Sequence, residues 1–156
     1  MIIRKAESGD KTRIAELYWQ SDDFHFRNEP YFYQSTSASC RSDEYLTDCI
    51  ARADGLFLVA EDALEIVGFA YGYEECKGHF PFHRKRTYFC LDNIVVDRDR
   101  RGRGYGSALM QELIEHSRRK AYDDIILNVY HFNADAIRLY EKLGFTELSR
   151  DMILKL

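Results

Sequence analysis

Residues 100–110 read "RRGRGYGSALM" and place three arginines and three glycines within seven positions. They follow directly on "LDNIVVDRD", a strand-like run. Glycine tolerates positive φ and lets another backbone or a ligand approach closely, so a Gly-x-Gly-x-Gly run marks a special backbone path. Leu109, Leu113 and Ile114 then recur at helical spacing beside Met110, so the loop opens onto an amphipathic helix. The start of a helix presents unpaired N–H groups and the positive end of a dipole. The chemistry on offer is the binding of an anion, a phosphate above all.

The elements that must position this loop are legible on both sides of it. "IIRK" (2–5) reads as a strand, and Ser8 or Asp10 caps a helix with Ile14, Leu17 and Tyr18 on its apolar face. Residues 22–41 are aromatic-rich, contain Pro30 and show no clean period, so they are expected to form an irregular loop. Ser42 caps a second helix carrying Leu46, Cys49 and Ile50 and ending near Gly55. "LFLVAE" and "IVGFAYGYEE" form a hairpin through "DALE". "TYFCLDNIVVD" is the longest strand signal; a helix follows the glycines from about Tyr105 to Lys120, and "DIILNVY" is a strand again. "NADAIRLYEKLGF" reads as a helix with Asn133 as N-cap and Gly144 as its terminal glycine. In the final "DMILKL", Met152, Leu154 and Leu156 alternate as in a half-buried strand.

That order is β-α-α-β-β-β-α-β-α-β. Residues 87–131 form a βαβ crossover, which demands parallel strands, whereas the hairpins around it are antiparallel. The expected fold is α/β: a mixed central sheet of about seven strands with helices on both faces.

At 156 residues the chain suits a single domain spanning 1–156, with 46% hydrophobic and 31% charged residues. A net charge of -4 argues against a general nucleic-acid binder, despite Arg98, Arg100, Arg101 and Arg103. No apolar run approaches a membrane span and "MIIRKAESGD" does not resemble a signal peptide, so a cytoplasmic location is expected, with no membrane partner. Cys40, Cys49, Cys76 and Cys90 show no CxxC spacing, which fits a reducing compartment. His79 and His83 are separated by Pro81 and cannot share a helical face, so no metal site is expected. The basic run His83–Arg86 reads as a solvated loop.

Three phosphate loops compete for the glycines. A P-loop needs Lys-Ser or Lys-Thr after them, which is missing. A dinucleotide fingerprint needs Gly-x-Gly-x-x-Gly in the first βαβ unit, and here the spacing and the position both differ. The third is an Arg-x-x-Gly-x-Gly loop formed by Arg101, Gly104 and Gly106. "VVDRDRRGRGYGSALM" resembles the acetyl-coenzyme A pyrophosphate loop of the GNAT superfamily of N-acetyltransferases, and "NVYHFNADAIRLYEKLGF" resembles that family's second conserved segment. The close resemblance covers about residues 87–150, and "HFRNEPYF" is similar to an acceptor-side segment of some bacterial members.

The resemblance implies an acetyl-coenzyme A-dependent N-acetyltransferase of the GNAT-like acyl-CoA fold. The pyrophosphate would meet backbone N–H groups from Gly102 through Arg103, Gly104, Tyr105 and Gly106 to Ser107, with Arg101 and Arg103 adding charge. The pantetheine arm would pair like a strand with Ile94, Val95 and Val96, and Asn133 and Ala136 would contact the cofactor. Asp92 is expected as the general base, directly or through a water, and as an acceptor contact. Tyr140, also at the cofactor, would protonate the leaving thiolate, a step uphill by a small amount for a phenol near ~10 and a thiol near ~8.5. A backbone N–H near Ile94 is the natural oxyanion donor. His25, Phe26 and Tyr31 are expected on the acceptor wall, with Glu74 and Glu75 as the next candidate bases. Cys90 has no evident base partner, so direct attack in a ternary complex is expected, with no acetyl-enzyme. The partner would be an amine: a small molecule, a protein N-terminus or lysine, or an aminoglycoside-type acceptor. A homodimer is compatible with the chain, and a coenzyme A sensor without turnover is the rival reading.

Overall fold

The two consecutive strand-like runs β2 (Gly55–Asp62) and β3 (Glu65–Lys77) fold back on each other through Ala63 and Leu64. Both turn residues have positive φ, 50° and 67°. That is the backbone a two-residue hairpin needs if its twist is to match the strands. The computed structural model describes residues 1–78 and 81–155. His79, of the His79/His83 pair, and Leu156, of the expected last strand, lie outside the described residues.

β1 (Ile2–Lys5) adds antiparallel to β2, β4 (Arg86–Val96) antiparallel to β3, and β5 (Asp124–Leu127) parallel to β4. The sheet order is therefore β1-β2-β3-β4-β5, with the parallel pair where the crossover predicted it. Alternation along the strands divides the core in two. Phe57, Val59, Phe69 and Val95 bury against Ile14, Leu17 and Tyr18 of α1 (Lys11–Asn28) and Leu46 of α2 (Asp43–Ala51). Leu56, Leu58, Val67, Phe89 and Leu91 bury against Leu109, Met110 and Leu113 of α3 (Tyr105–Arg119) and Tyr140 of α4 (Ala134–Lys142). Each face contributes every second residue, as a pleated strand requires.

Ser42 caps α2 by accepting the Tyr45 N–H, and Asn133 caps α4 by accepting the Ala136 N–H. Asp10 stands at the start of α1, but its carboxylate is spent on the Glu7 N–H and the Arg4 guanidinium.

Three expectations are corrected. α1 does not end near residue 21 but runs to Asn28, so Ser21, Phe24 and His25 lie on one helix and the irregular segment starts at Glu29. Tertiary packing compensates for the missing period: Phe24 and His25 pack on Phe132 at 5.7 and 5.8 Å, and Asp23 pairs with Arg27 one turn on. The sheet has five strands among the described residues, not about seven. Residues 151–155 form no ladder, and Met152 is 92% exposed. Alternation makes a strand only where an edge lies alongside to accept its hydrogen bonds. Third, the run "DIILNVY" pairs over only four residues before the parallel strands part.

The loop after β4 is anchored from behind. Asp97, buried at the strand's end, accepts from the Asp99 N–H, the Gln20 amide and the Arg13 guanidinium, so α1 grips the entry to the glycine loop. Burial opposes ionisation most strongly, but these donors together outweigh it and hold the carboxyl below its ordinary range. A depressed folded pKa contributes stability that is present above the unfolded value of ~3.9 and lost as pH falls through the folded one. Asp97→Ala should therefore lower stability by about 2 kcal/mol at neutral pH, with a smaller deficit as pH falls below about 4. Urea unfolding across that range reads both; an equal deficit at every pH would count against the charge.

Candidate active site

In the β3–β4 ladder Tyr71 faces Asn93 and Gly72 faces Leu91, so Asp92 is an extra residue with no opposite number. Such a β-bulge bends its strand and re-aims a side chain. On its other edge β4 pairs with β5 only as far as Leu91–Leu127. Bulge and splay thus coincide at one residue. Beyond it the β5-facing edge of β4, carrying Asn93 to Val96, has no strand partner among the described residues.

The splay opens a cleft of about 230 Å³ lined by Leu91–Ile94 on one side, Leu127–Tyr130 on the other, and Asn133 and Tyr140 from the region of α4. Ser21 and His25 of α1 close its remaining side. His25 Nδ1 lies 2.7 Å from the Ser21 carbonyl oxygen, which can only accept, so Nδ1 carries the proton of that hydrogen bond. The ring is held against Tyr33, Tyr130 and Phe132 at 5.3–5.8 Å. Tyr140 is 7% exposed, and burial pushes its phenol up to about 12. Full proton transfer from it to a thiolate, whose conjugate thiol has a pKa of ~8.5, is therefore uphill by more than the small step an ordinary tyrosine implies. What it offers is a hydrogen bond from a phenol that stays protonated throughout the neutral range.

The glycine loop meets α3 as an anion site would require. Gly102 and Gly104 have φ of 76° and 87°, and Gly104 is the N-cap residue of α3. The Gly104 carbonyl takes up the Ala108 N–H at 3.0 Å, which leaves the N–H groups of Tyr105, Gly106 and Ser107 without intrahelical partners. The Tyr105 side chain turns away and donates to Asp62 at 2.6 Å, pinning the helix start to β2. Arg101 donates to the Val96 carbonyl and stands 5.5 Å over Phe24, while Arg100 is paired with Glu65 and Arg98 lies over Trp19. The arginines are thus spread among separate partners instead of forming one basic stripe.

A second, open cleft of about 640 Å³ lies between α2 and the β3–β4 surface, lined by Tyr45, Asp48, Cys49, Arg52, Tyr71, Tyr73 and Asp92. Asp92 is the residue the two clefts share. Its carboxylate accepts from the neighbouring Asn93 amide at 2.6 Å and is otherwise exposed. Phe26 and Tyr31 line neither cleft; Tyr31 is 59% exposed and packs on Phe32 and Lys155. Glu74 and Glu75 accept from the Tyr122 and Tyr88 hydroxyls and also lie outside both. Burial pushes the Cys90 thiol up, which makes it a poorer nucleophile. Sequence reasoning missed the α2 wall; its signal was the spacing of Tyr45, Asp48, Cys49 and Arg52, which repeats one helical face.

Residues 12–145 match the model of the Acetyltransferase (GNAT) family. The chain belongs to the GNAT family. It is 26% identical over 147 residues to the uncharacterized N-acetyltransferase YhfO of Bacillus subtilis, covering 94% of this chain and 91% of YhfO. An uncharacterized N-acetyltransferase of Methanocaldococcus jannaschii is 27% identical over 150 residues, 93% of this chain, which spans only 60% of that relative's length. Among solved structures, a tetramutant of the BH1408 protein from Bacillus halodurans superposes with a TM-score of 0.94 at 26% identity, each chain covered in full. The mixed α/β sheet of this GNAT chain is the one seen there.

Proposed function

We propose that this protein moves an acetyl group from acetyl-coenzyme A to a primary amine by direct attack, without a covalent acetyl-enzyme. One observation carries the reading: the bulged Asp92 is the joint between a cleft opened by two parting parallel strands and a second, acidic cleft beside it. The residues present fit an acyl-coenzyme A. The free edge of β4 offers amide partners to an arm with two amides of its own, and the orphan N–H groups of α3 suit a pyrophosphate. When bound, the coenzyme supplies an activated acetyl thioester.

The chain's own groups do the rest. Asp92 receives the proton that an ammonium must lose, which matters because an alkylamine of pKa ~10.4 is neutral only about once in a few thousand at pH 7. Backbone N–H groups near Ile94, on the unpaired edge, stabilise charge building on the carbonyl oxygen. Tyr140 donates its hydrogen bond to the departing sulfur. Asn133 caps α4 and faces the same cleft.

A thiol-release screen over small amines, peptides and aminoglycosides at saturating acetyl-coenzyme A tests the reading. Tight coenzyme binding with no release from any amine would replace it with a coenzyme A sensor. Asp92→Asn keeps the shape and deletes the base, so its rate should fall at neutral pH and recover in part at high pH, where neutral amine is plentiful. A variant with the parental rate and pH profile would remove Asp92 from the chemistry, whereas a change confined to apparent amine affinity would make it an acceptor contact.

A further inference from the structure

The cleft between α2 and β3 carries a charge pattern that transfer to a simple amine does not require. Residues 45, 48 and 49 repeat at three and four positions, so α2 turns Tyr45, Asp48 and Cys49 to one side, and its C-cap residue Arg52 continues the same lining. Tyr71 and Tyr73, two apart on β3, form the facing wall, and Asp92 stands at the end that opens into the coenzyme cleft. Burial raises all three phenols, Tyr45 to about 12, so they stay neutral and present ring faces and hydroxyls instead of charge.

Arg52 is the cation of this lining, and it is already engaged. Its Nε and Nη2 donate to the two oxygens of Asp54 at 2.7 and 3.1 Å, and its guanidinium lies 3.9 Å over the Tyr73 ring. Two carboxylates remain unbalanced in the cleft, Asp92 and Asp48. Among the described residues Asp48 has no ion pair and no side-chain hydrogen bond. An amine with a single charge would satisfy Asp92 and leave Asp48 facing an aromatic cleft alone.

We propose that the cleft selects acceptors with a second cationic centre, aliphatic diamines, with one nitrogen delivered to Asp92 and the other held by Asp48. Tyrosine faces attract ammonium groups and cover a methylene stem, so walls and end groups suit the same molecule. An amino acid or an acidic peptide would bring a third carboxylate into an acidic cleft, and an ordinary peptide N-terminus would leave Asp48 unmatched. The proposal rests on the acetyl-transfer reading for the role of the first nitrogen, but the recognition it describes is a binding event that can be read without turnover.

The test is calorimetric binding of 1,4-diaminobutane and its homologues, each against the monoamine of equal length, to the full chain and to Asp48→Asn and Asp48→Glu. Acetyl transfer to the same panel is measured beside it. Asp48 is exposed, so its contact falls between a surface ion pair and a charge-assisted hydrogen bond. The best diamine should bind about 5- to 20-fold more tightly than its monoamine. Asp48→Asn should collapse that preference to about 2-fold or less, and Asp48→Glu should restore part of it. Equal binding of diamines and monoamines, no binding of either, or a preference that survives Asp48→Asn would overturn the proposal. Transfer to amines without a diamine preference would overturn it and leave acetyl transfer standing. Asp48-dependent diamine binding without thiol release would uphold the cleft and remove the transfer reading.

Discussion

Gly104→Glu should lower coenzyme A affinity by at least about 100-fold while the protein remains folded. Two costs add. At φ 87° a side chain disfavours the left-handed backbone, so the unliganded loop relaxes away from it and restoring it on binding costs about 1–2 kcal/mol. The new carboxylate would also stand at the mouth of α3, where the orphan N–H groups of Tyr105, Gly106 and Ser107 favour an anion. Together these amount to about 3 kcal/mol, or two powers of ten in affinity. The fold has room for the change, because a Cβ at Gly104 would meet no atom within 4 Å. Gly104→Ala isolates the backbone share and should lose about tenfold. Calorimetry with coenzyme A reads all three proteins, and thermal melting guards against unfolding. Parental affinity in the glutamate variant would mean that the phosphates bind elsewhere.

The second large effect is expected at Tyr140. Tyr140→Phe removes one oxygen from a ring that is buried and packed 5.8 Å from Phe145, so packing is retained. Turnover should fall by roughly 10- to 1000-fold, in the range of a lost hydrogen bond to the leaving sulfur, with coenzyme affinity within about twofold of the parent. Burial lifts the phenol to about 12. A group that titrates so high stays protonated through the neutral and mildly basic range. The basic limb of the parental rate profile should therefore survive in the phenylalanine variant at lower amplitude. A lost limb would mean that Tyr140 titrates within the working range. An unchanged single-turnover rate, which bypasses product release, would leave Tyr140 with a structural role only.

Much of the proposed coenzyme side was readable from local chemistry. Positive φ at Gly102 and Gly104, the Asn133 and Ser42 caps, the glycine that ends α4 and the 3.6-residue period of α3 depend on neighbours a few residues away. A helix between two neighbouring strands returns the chain to the end of the sheet where it started, so the parallel pairing of β4 with β5 followed from element order. The acceptor side was less legible because its features are relations between distant segments. Nothing around Asp92 announces a bulge; the mismatch arises when Tyr71 and Gly72 settle opposite Asn93 and Leu91.

The same reason explains the other differences. Residues 22–28 lack a helical period, and they extend α1 because Phe24 and His25 find Phe132 more than a hundred residues later. "DMILKL" alternates as a strand should, yet residues 151–155 have no edge beside them, and alternation supplies no hydrogen-bond partner. Asp48 reads in the sequence as one more exposed helix carboxylate, and only the approach of Tyr71, Tyr73 and Asp92 makes it part of a cleft. By itself the sequence determined the positive-φ glycine loop, the caps and the crossover, whose energetics are local. The tertiary structure alone decided where the strands part, which residue bulges and which carboxylates line one cleft, because each depends on register between segments that share no local signal.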